Sequence, residues 1–460
     1  TNTPMKLIKK TKWAALSLLL FACQNQADTP KKADPNNFQF LEITIPELQE
    51  GYKNGQWTIR DVMAAYSNRI EAIDHNGPQL QSVIVVNPEA LAIADSLDQI
   101  APENRGPLHG VPVLLKDNID TQDQMATTAG SRALAGSMPL QDSEVAAQLR
   151  AAGAVILGKA NLSEWANFRG QMSSSGWSGI NGQTKNPYVL TRTPCGSSAG
   201  SGVSVSANLT VLAIGTETNG SIVCPSTANG IVGIKPTVGL ISRAGIIPIS
   251  YTQDTAGPMA RTVADAVMAL GPLTSQDPRD EKTAANKGKA LQDYTPYLKK
   301  DGLKGKRIGW FKAAFGTHAT TDSLTVKAIA VLKAQGATII EIDQINERST
   351  GGHSFQVMLT EYKAGLNDYF ASLGPDAKIK NLEDLIAFNK QDSVELKYYN
   401  QAYLEMALEK EGLDSKEYLD HLEALRKGSR DNGIDKVMAT HQLDGFVAPT
   451  GSPAWSIDWL

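Results

Sequence analysis

Apolar residues recur at helical spacing early in the chain, which predicts that the folded part opens with helices. After Thr58 the apolar face comprises Ile59, Val62, Met63, Tyr66, Ile70 and Ile73. Thr58 is a favourable N-cap, and Asp61 stands three residues later, where its carboxylate can accept from the exposed amides. A second helix is predicted between Ser143, as its cap, and Gly153, which ends it.

Short apolar runs between the helical stretches predict buried strands. They lie at Ala154 to Leu157, Val111 to Leu115, Val211 to Ile214, Lys306 to Trp310, Ala337 to Ile342 and Phe446 to Ala448, with a helix at about Ser323 to Ala334. Nearly continuous apolar strands are typical of sheets that helices cover on both faces. We therefore predict an α/β fold with a mixed, mainly parallel central sheet. In such folds the chemistry lies in loops at strand ends.

The pattern over residues 348–425 predicts amphipathic helices with aromatic patches, and we predict a helical insertion there. It could cap the substrate site or be ordinary surface packing, and the pattern favours the second.

Composition limits the classes of function. The chain has 460 residues, 42% hydrophobic and 20% charged, so it can bury a large core as one big domain or two ordinary ones. A formal net charge of −4 offers no basic field, which argues against a nucleic-acid partner. None of the six histidines stands at metal-ligand spacing or in a Ser/Gly-rich turn, so no metal site is expected.

The N-terminus has the pattern of a targeting segment. From Met5 a basic stretch is followed by an apolar run that is too short to span a bilayer, and Cys23 follows at once. This resembles the lipobox of bacterial lipoproteins, although Phe21 is unusual there. The resemblance implies a signal peptide over 5–23, a lipid on Cys23 and a polar tether over 24–38. We expect an exported protein held at the bacterial cell envelope by lipid alone; a plain secretory peptide is the alternative.

The two remaining cysteines, Cys195 and Cys224, flank two serine-containing loops. An oxidising compartment would permit a bridge between them. We favour the plainer interpretation, in which both are small buried packing residues.

Three motifs carry candidate chemistry. Lys116 ends the apolar run V-P-V-L-L-K, Ser197 lies in C-G-S-S-A-G-S-G, and Ser221 lies in T-E-T-N-G-S-I. A serine becomes a nucleophile only when a base takes its proton. With no well-placed histidine, lysine is the candidate base. The glycine-rich run alone could be a phosphate-binding turn or a linker, but it lacks the lysine of a P-loop.

The order and spacing of these motifs resemble the amidase signature family, and within it bacterial peptide amidases. The resemblance runs from G-V-P-V-L-L-K-D-N, beginning at Gly110, to I-P-I-S-Y-T-Q-D-T-A-G-P-M-A-R, ending at Arg261. It implies one amidase domain over 39–460 that hydrolyses a carboxamide through an acyl-enzyme, with no metal or organic cofactor.

The same resemblance implies the role of each site residue. Ser221 would be the nucleophile, Ser197 a relay serine after a cis peptide bond from Gly196, and Lys116 the base. Backbone amides of the stretch Thr218, Asn219, Gly220 and Ser221 would form the oxyanion hole, and a loop with Met172 and Ser173 would bind substrate.

The chemistry sets its own conditions on Lys116. Lysine acts as a base only when neutral, so its pKa must fall, and burial without a carboxylate partner lowers it. In an extended strand Asp117 would point to the opposite face. Ser197 then passes a proton from Ser221 to Lys116 and later returns one to the departing amine. Asn219 stands where many family members have glycine, and it tolerates the same backbone.

We expect the substrate to be a peptide C-terminal amide or a small amide. The alternatives are an aryl-amide or ester hydrolase with the same residues, and a catalytically silent lipoprotein that binds a peptide. The chain stops at Leu460 where members of the family continue for a further stretch, which indicates either a truncated gene or a partial sequence. If the ending is real, apolar surface and a sheet edge would be left open.

Overall fold

The computed structural model describes residues 38–316 and 318–450. The predicted signal peptide at 5–23, Cys23, the tether up to residue 37 and the last ten residues lie outside the described residues.

A six-stranded mixed sheet forms the centre of the molecule, in the order β1-β3-β2-β6-β8-β7. The strands of the chain are β1 Val83–Val86, β2 Pro112–Lys116, β3 Val155–Ala160, β4 Trp177–Ser178, β5 Gly182–Gln183, β6 Leu212–Glu217, β7 Val232–Gly233, β8 Thr255–Ala260, β9 Arg307–Phe311, β10 Thr338–Ile342 and β11 Gly445–Val447. β2, β3, β6 and β7 run in one direction, while β1 and β8 run in the other. The predicted mixed, mainly parallel sheet is confirmed.

Helices cover this sheet and continue into the C-terminal region. They are α1 Ile45–Lys53, α2 Ile59–Arg69, α3 Ala90–Asp98, α4 Glu144–Ala151, α5 Ala199–Ser206, α6 Val223–Ala228, α7 Val263–Leu273, α8 Ala319–Ala334, α9 Thr350–Ser372, α10 Leu382–Gln391, α11 Ala402–Leu408, α12 Lys416–Arg426 and α13 Asp435–His441. Within the described residues, no helix is long and apolar enough to cross a membrane.

The predicted helix signals have the expected physical basis. Thr58 and Asp61 form a reciprocal capping box at the start of α2, and Ser143 accepts from the amide of Ala146 at the start of α4. Gly153 takes a φ of 84°, which a left-handed helix end requires. Every residue of β2, β3 and β6 is buried, in agreement with their apolar runs.

Two features of the sheets were not predicted. β8 contains Gly257 and Pro258, residues depleted from strands, so its composition hides it, although it pairs with β6 along its whole length. The predicted strands near residues 307, 338 and 446 do not join the central sheet; they form a separate three-stranded parallel sheet in the order β10-β9-β11.

The predicted helical region packs directly on the loops at the strand ends. Ser354 of α9 donates to Gln253 at 2.7 Å, and Tyr369 of the same helix donates to Asp120 at 2.9 Å. The apolar face of α9 shares one buried cluster with Ile247 and Ile249. α9 thus lies over the loop that follows β2 and the loop that precedes β8, which is the position that a cap on the substrate site requires.

Candidate active site

Lys116 is the last residue of β2, and its amine is buried inside the protein. Its side chain is 0% exposed, and its Nζ lies 2.8 Å from Ser197 Oγ. Nζ also lies 2.7 Å from Oγ1 and 3.1 Å from the carbonyl oxygen of Thr216 on the neighbouring strand β6. Within the described part of the chain, no carboxylate forms an ion pair with this amine.

Burial lowers the pKa of Lys116 to about 7. Loss of hydration is the largest cause because it penalises the charged amine. The negative charges of Asp254 and Glu217 act in the opposite direction and keep the pKa from falling further. A substantial fraction of Lys116 is therefore neutral near pH 7, as a general base requires.

The two acceptors on Thr216 orient this amine. A neutral lysine amine has two N–H groups and one lone pair. When the N–H groups are donated to the two oxygens of Thr216, the lone pair faces Ser197 Oγ, whose hydroxyl can donate to it. Asn118 holds Thr216 Oγ1 from the other side through a bond of 3.1 Å.

Asp117 does not pair with Lys116. Its carboxylate accepts from the hydroxyl and the amide of Thr128, and Lys159 is the lysine whose charge acts on it. This placement follows from the alternation of side chains along an extended strand, as predicted.

Ser197 lies in a tight loop in which position 196 has little room for a side chain. The Gly196–Ser197 peptide bond is cis, and Ser197 is 1% exposed. A Cβ on Gly196 would lie 2.4 Å from Ser163 Oγ, so a larger residue would displace the loop. The amide of Ser163 also donates to the carbonyl of Ser197 at 3.0 Å, which holds the backbone of the relay serine in place.

Glu217 shapes the turn that carries Ser221. Its buried carboxylate accepts the amides of Gly220 at 2.7 Å, Ile222 at 2.6 Å and Val223 at 3.0 Å. The turn comes close to the Ser197 loop, because the amide of Ser198 donates to the carbonyl of Ser221 at 3.1 Å. Ser221 itself is half-buried, so a substrate can reach it.

The predicted oxyanion donors differ in their availability. The amide of Gly220 is already donated to Glu217, so it does not point into the site. Across residues 38–316 and 318–450, no protein acceptor takes the amides of Thr218, Asn219 or Ser221. The Asn219 side chain turns away from the turn and contacts Met358 Sδ of α9 at 3.5 Å.

Cys195 and Cys224 form a disulfide. The sequence-based interpretation of both as separate packing residues was wrong. The bridge can form because the two serine loops lie side by side at the end of the sheet, and this proximity cannot be read from residues 29 positions apart in the sequence.

Neither Met172 nor Ser173 lines the cavity that lies beside Thr218. Met172 is 96% exposed, and Ser173 donates to Asn167 at 3.0 Å. A cavity of about 430 Å³ lies instead beside Thr216 and Thr218, between the loop 243–251 and α9. Its lining mixes apolar side chains with charged ones of both signs, among them Ile247, Ile249, Leu373, Asp120, Asp254, Asp368, Arg243 and Arg279.

Sequence reasoning missed Thr216, Glu217 and Asp254. Glu217 could have been suspected, since it stands between a buried strand and a turn whose amides need an acceptor. Thr216 could not, because its contact with Lys116 depends on the register in which Leu115 faces Ile214. In the part of the chain that the structure describes, no group of three or more His, Cys, Asp or Glu side chains could hold a metal ion.

Comparisons with known proteins show the family of this chain. The amidase family profile matches residues 61–458. The native peptide amidase of Stenotrophomonas maltophilia is similar at a TM-score of 0.85 and 45% identity, over 90% of this chain and 86% of that one. A structure of the peptide amidase PAM with the competitive inhibitor chymostatin matches at a TM-score of 0.85 and 44% identity, with the same coverage. An Arabidopsis thaliana protein named "Probable amidase" is 40% identical over 425 residues, 90% of this chain and 80% of that protein.

Proposed function

Because this chain belongs to the amidase family and is an amide-hydrolysing enzyme, we propose that it cleaves a carboxamide to a carboxylate and ammonia by a Ser-Ser-Lys acyl-enzyme mechanism. One observation carries the proposal. A fully buried lysine amine with a pKa near 7 lies 2.8 Å from a serine hydroxyl, and no carboxylate in the described residues pairs with it.

The first half of the reaction forms the acyl-enzyme. The Ser221 hydroxyl gives its proton to Ser197 Oγ, while the Ser197 proton passes to the neutral amine of Lys116. Ser221 Oγ attacks the amide carbon, and the carbonyl oxygen becomes an oxyanion. Free amides at Thr218, Asn219 and Ser221 are the candidate donors to it, each typically worth about 3 kcal/mol of barrier.

The second half releases both products. Lys116 returns its proton through Ser197 to the departing nitrogen, and ammonia leaves as the carbon–nitrogen bond breaks. A water molecule then attacks the ester of Ser221, with the same two groups accepting and returning its proton. The carboxylate product leaves, and Ser221 regains its hydrogen.

We propose a peptide C-terminal amide or a small amide as the substrate. Similarity to the peptide amidase of Stenotrophomonas maltophilia, and to a peptide amidase that binds chymostatin, supports a peptide-like ligand. The cavity beside Thr218 is large enough for one or two side chains and has apolar walls for them.

We also propose that the enzyme is exported and held at the cell envelope by a lipid on Cys23. The basic and apolar stretches before Cys23 support export. The Cys195–Cys224 disulfide agrees with an oxidising compartment. Substitution Cys23→Ser should move the protein from the membrane fraction to the soluble fraction, and an unchanged distribution would contradict the anchor.

Ammonia release tests the catalytic proposal. Amidated peptides and free small amides are offered to the wild type, to Ser221→Ala and to Lys116→Ala, with the surface variant Ser96→Ala as the matched control. Both active-site variants should lose nearly all turnover while Ser96→Ala keeps it. Full activity in either active-site variant contradicts the mechanism.

Two further measurements separate the alternatives. Paired amides and esters of one acyl group distinguish an amidase from an esterase. A serine-directed phosphonate should label the wild type at Ser221 and leave Ser221→Ala unlabelled, whereas a silent binding protein would not be labelled.

A further inference from the structure

We propose that the Cys195–Cys224 disulfide is a redox-sensitive clamp that sets the distance between the two catalytic serines. The relay loop is defined as residues 194–198, and the nucleophile turn as residues 217–223. The bridge joins Cys195 of the relay loop to Cys224, which directly follows the nucleophile turn. The proposal rests on the proposed function, because it assumes that Ser197 and Ser221 exchange a proton.

The bridge lies close in sequence to both serines. Cys195 comes two residues before Ser197, and Cys224 comes three residues after Ser221. The amide of Cys224 donates to the carbonyl of Gly220 at 2.8 Å, so the cysteine is bonded to the nucleophile turn itself. A movement of either sulfur is therefore transmitted to a catalytic hydroxyl.

A small set of hydrogen bonds also joins the two segments. Among the residues that the structure describes, the Ser198 amide donates to the Ser221 carbonyl, and Ser198 Oγ donates to the Thr216 carbonyl at 3.0 Å and accepts from the Thr216 amide at 3.2 Å, directly before the nucleophile turn. Asn229 adds an outer link, since its Nδ2 donates to Pro194 at 2.9 Å and to Pro225 at 2.7 Å. These bonds keep the two segments together after reduction, but they leave more freedom than a covalent bridge.

Two further anchors act on one segment each. The Glu217 carboxylate accepts backbone amides of the nucleophile turn, and the Ser163 amide donates to the Ser197 carbonyl of the relay loop. Proton transfer between two hydroxyls needs hydrogen-bond reach, and a misplacement of about 1 Å can cost about a hundredfold in rate. We therefore expect reduction to lower kcat about tenfold or more. KM should change less than kcat, because much of the cavity is lined by the loop 243–251 and α9, which do not carry the bridge, and only Glu217 and Thr218 of the nucleophile turn reach it.

The bridge is accessible to a reductant. Both cysteines are half-buried rather than buried. A dithiol such as dithiothreitol supplies two electrons and two protons. The sulfur–sulfur bond breaks, two cysteine thiols form, and the dithiol closes to a cyclic disulfide. Oxidised glutathione reverses the reaction and is itself reduced to two thiols.

The test uses the full chain with Cys23→Ser, which removes the third cysteine. The protein is assayed oxidised, after dithiothreitol, and after reoxidation with oxidised glutathione, and alkylation with mass measurement counts the thiols. Near-UV circular dichroism follows the fold, and hydrogen exchange follows residues 194–200 and 220–226. The double variant Cys195→Ala/Cys224→Ala is the matched control.

If the clamp operates, reduction lowers kcat tenfold or more while the fold is retained, and reoxidation restores kcat. Amide hydrogen exchange becomes faster in both segments on reduction. The double variant has a low kcat that dithiothreitol does not change. Full kcat in the reduced, folded enzyme overturns the clamp, and so does an activity loss that only follows unfolding. If the oxidised enzyme releases no ammonia, the proposed function fails instead. Hydrogen exchange then decides alone: faster exchange in the two segments on reduction supports the clamp, and unchanged exchange refutes it.

Discussion

The charge state of Lys116 predicts how the stability of the fold changes with pH. Burial lowers its pKa from 10.5 to about 7 in the folded protein, whereas an exposed lysine in the unfolded chain keeps a pKa of about 10.4. Between these two values the unfolded chain binds a proton that the folded protein does not. The cost to folding is therefore full below pH 7 and is lost as the pH rises from 7 toward 10.5.

Replacing Lys116 with methionine removes this cost and also the contacts of the amine. With 1.36 kcal/mol per pKa unit, the cost is about 4 kcal/mol at pH 7 and about 2 kcal/mol at pH 9. The lost contacts are three, one to Ser197 and two to Thr216. At about 1 kcal/mol each they subtract about 3 kcal/mol at either pH. Lys116→Met should thus be more stable than the wild type by about 1 kcal/mol at pH 7 and less stable by about 1 kcal/mol at pH 9.

Urea unfolding followed by far-UV circular dichroism measures both differences. The surface lysine Lys416, whose side chain is 87% exposed, provides the control substitution Lys416→Met, which should leave the pH dependence of the wild type unchanged. The sign change between the two pH values is the diagnostic result. The lowered pKa is refuted if the difference in unfolding free energy between Lys116→Met and the wild type changes by less than about 0.5 kcal/mol between pH 7 and pH 9.

Four further predictions follow from the same contacts. In the wild type, kcat/KM should rise about tenfold per pH unit below pH 7 and level off above it, because Lys116 must be neutral; a flat profile contradicts its role as base. Thr216→Val should lower kcat about tenfold and move the acidic limb of the profile to lower pH, since a hydroxyl acceptor that favours charged Lys116 is lost, while Thr216→Ser should restore both. Glu217→Gln should lower kcat about a hundredfold with little change in KM, because the side-chain NH2 of glutamine would face backbone N–H groups of the nucleophile turn and could not accept from them; an unchanged kcat in steady-state kinetics contradicts this role of Glu217. Met172→Ala should leave kcat/KM within about twofold, and a large rise in KM would place this surface residue at the substrate after all.

Local sequence patterns predicted much of the central fold. The capping pair Thr58 and Asp61 and the runs that became β2, β3 and β6 are local features, in which a residue and its near neighbours decide the outcome. β8 was not predicted, because glycine and proline are depleted from strands and weaken the sequence pattern of a strand. Its pairing with β6 stabilises it as a strand.

The candidate site divides in the same way. Residue chemistry and motif order pointed to Lys116, Ser197 and Ser221, because a serine needs a base and the chain offers no suitable histidine. The assignment of Met172 and Ser173 to substrate binding stays a prediction; their loop carries no motif, and Met172 is 96% exposed. Local sequence failed for the pairing of Cys195 and Cys224, because two cysteines carry no information about which loops lie side by side.

The sequence by itself therefore determined which elements form and which side chains can react. Only the tertiary structure decided that β2 and β6 lie side by side, so that Thr216 orients the amine of Lys116, and that α9 packs over the loops at the end of the sheet. It also decided that Gly220 gives its amide to Glu217 rather than to a substrate. The physical reason is that burial, strand register and the lowered pKa depend on residues that are distant in the chain, and local spacing does not record their distances.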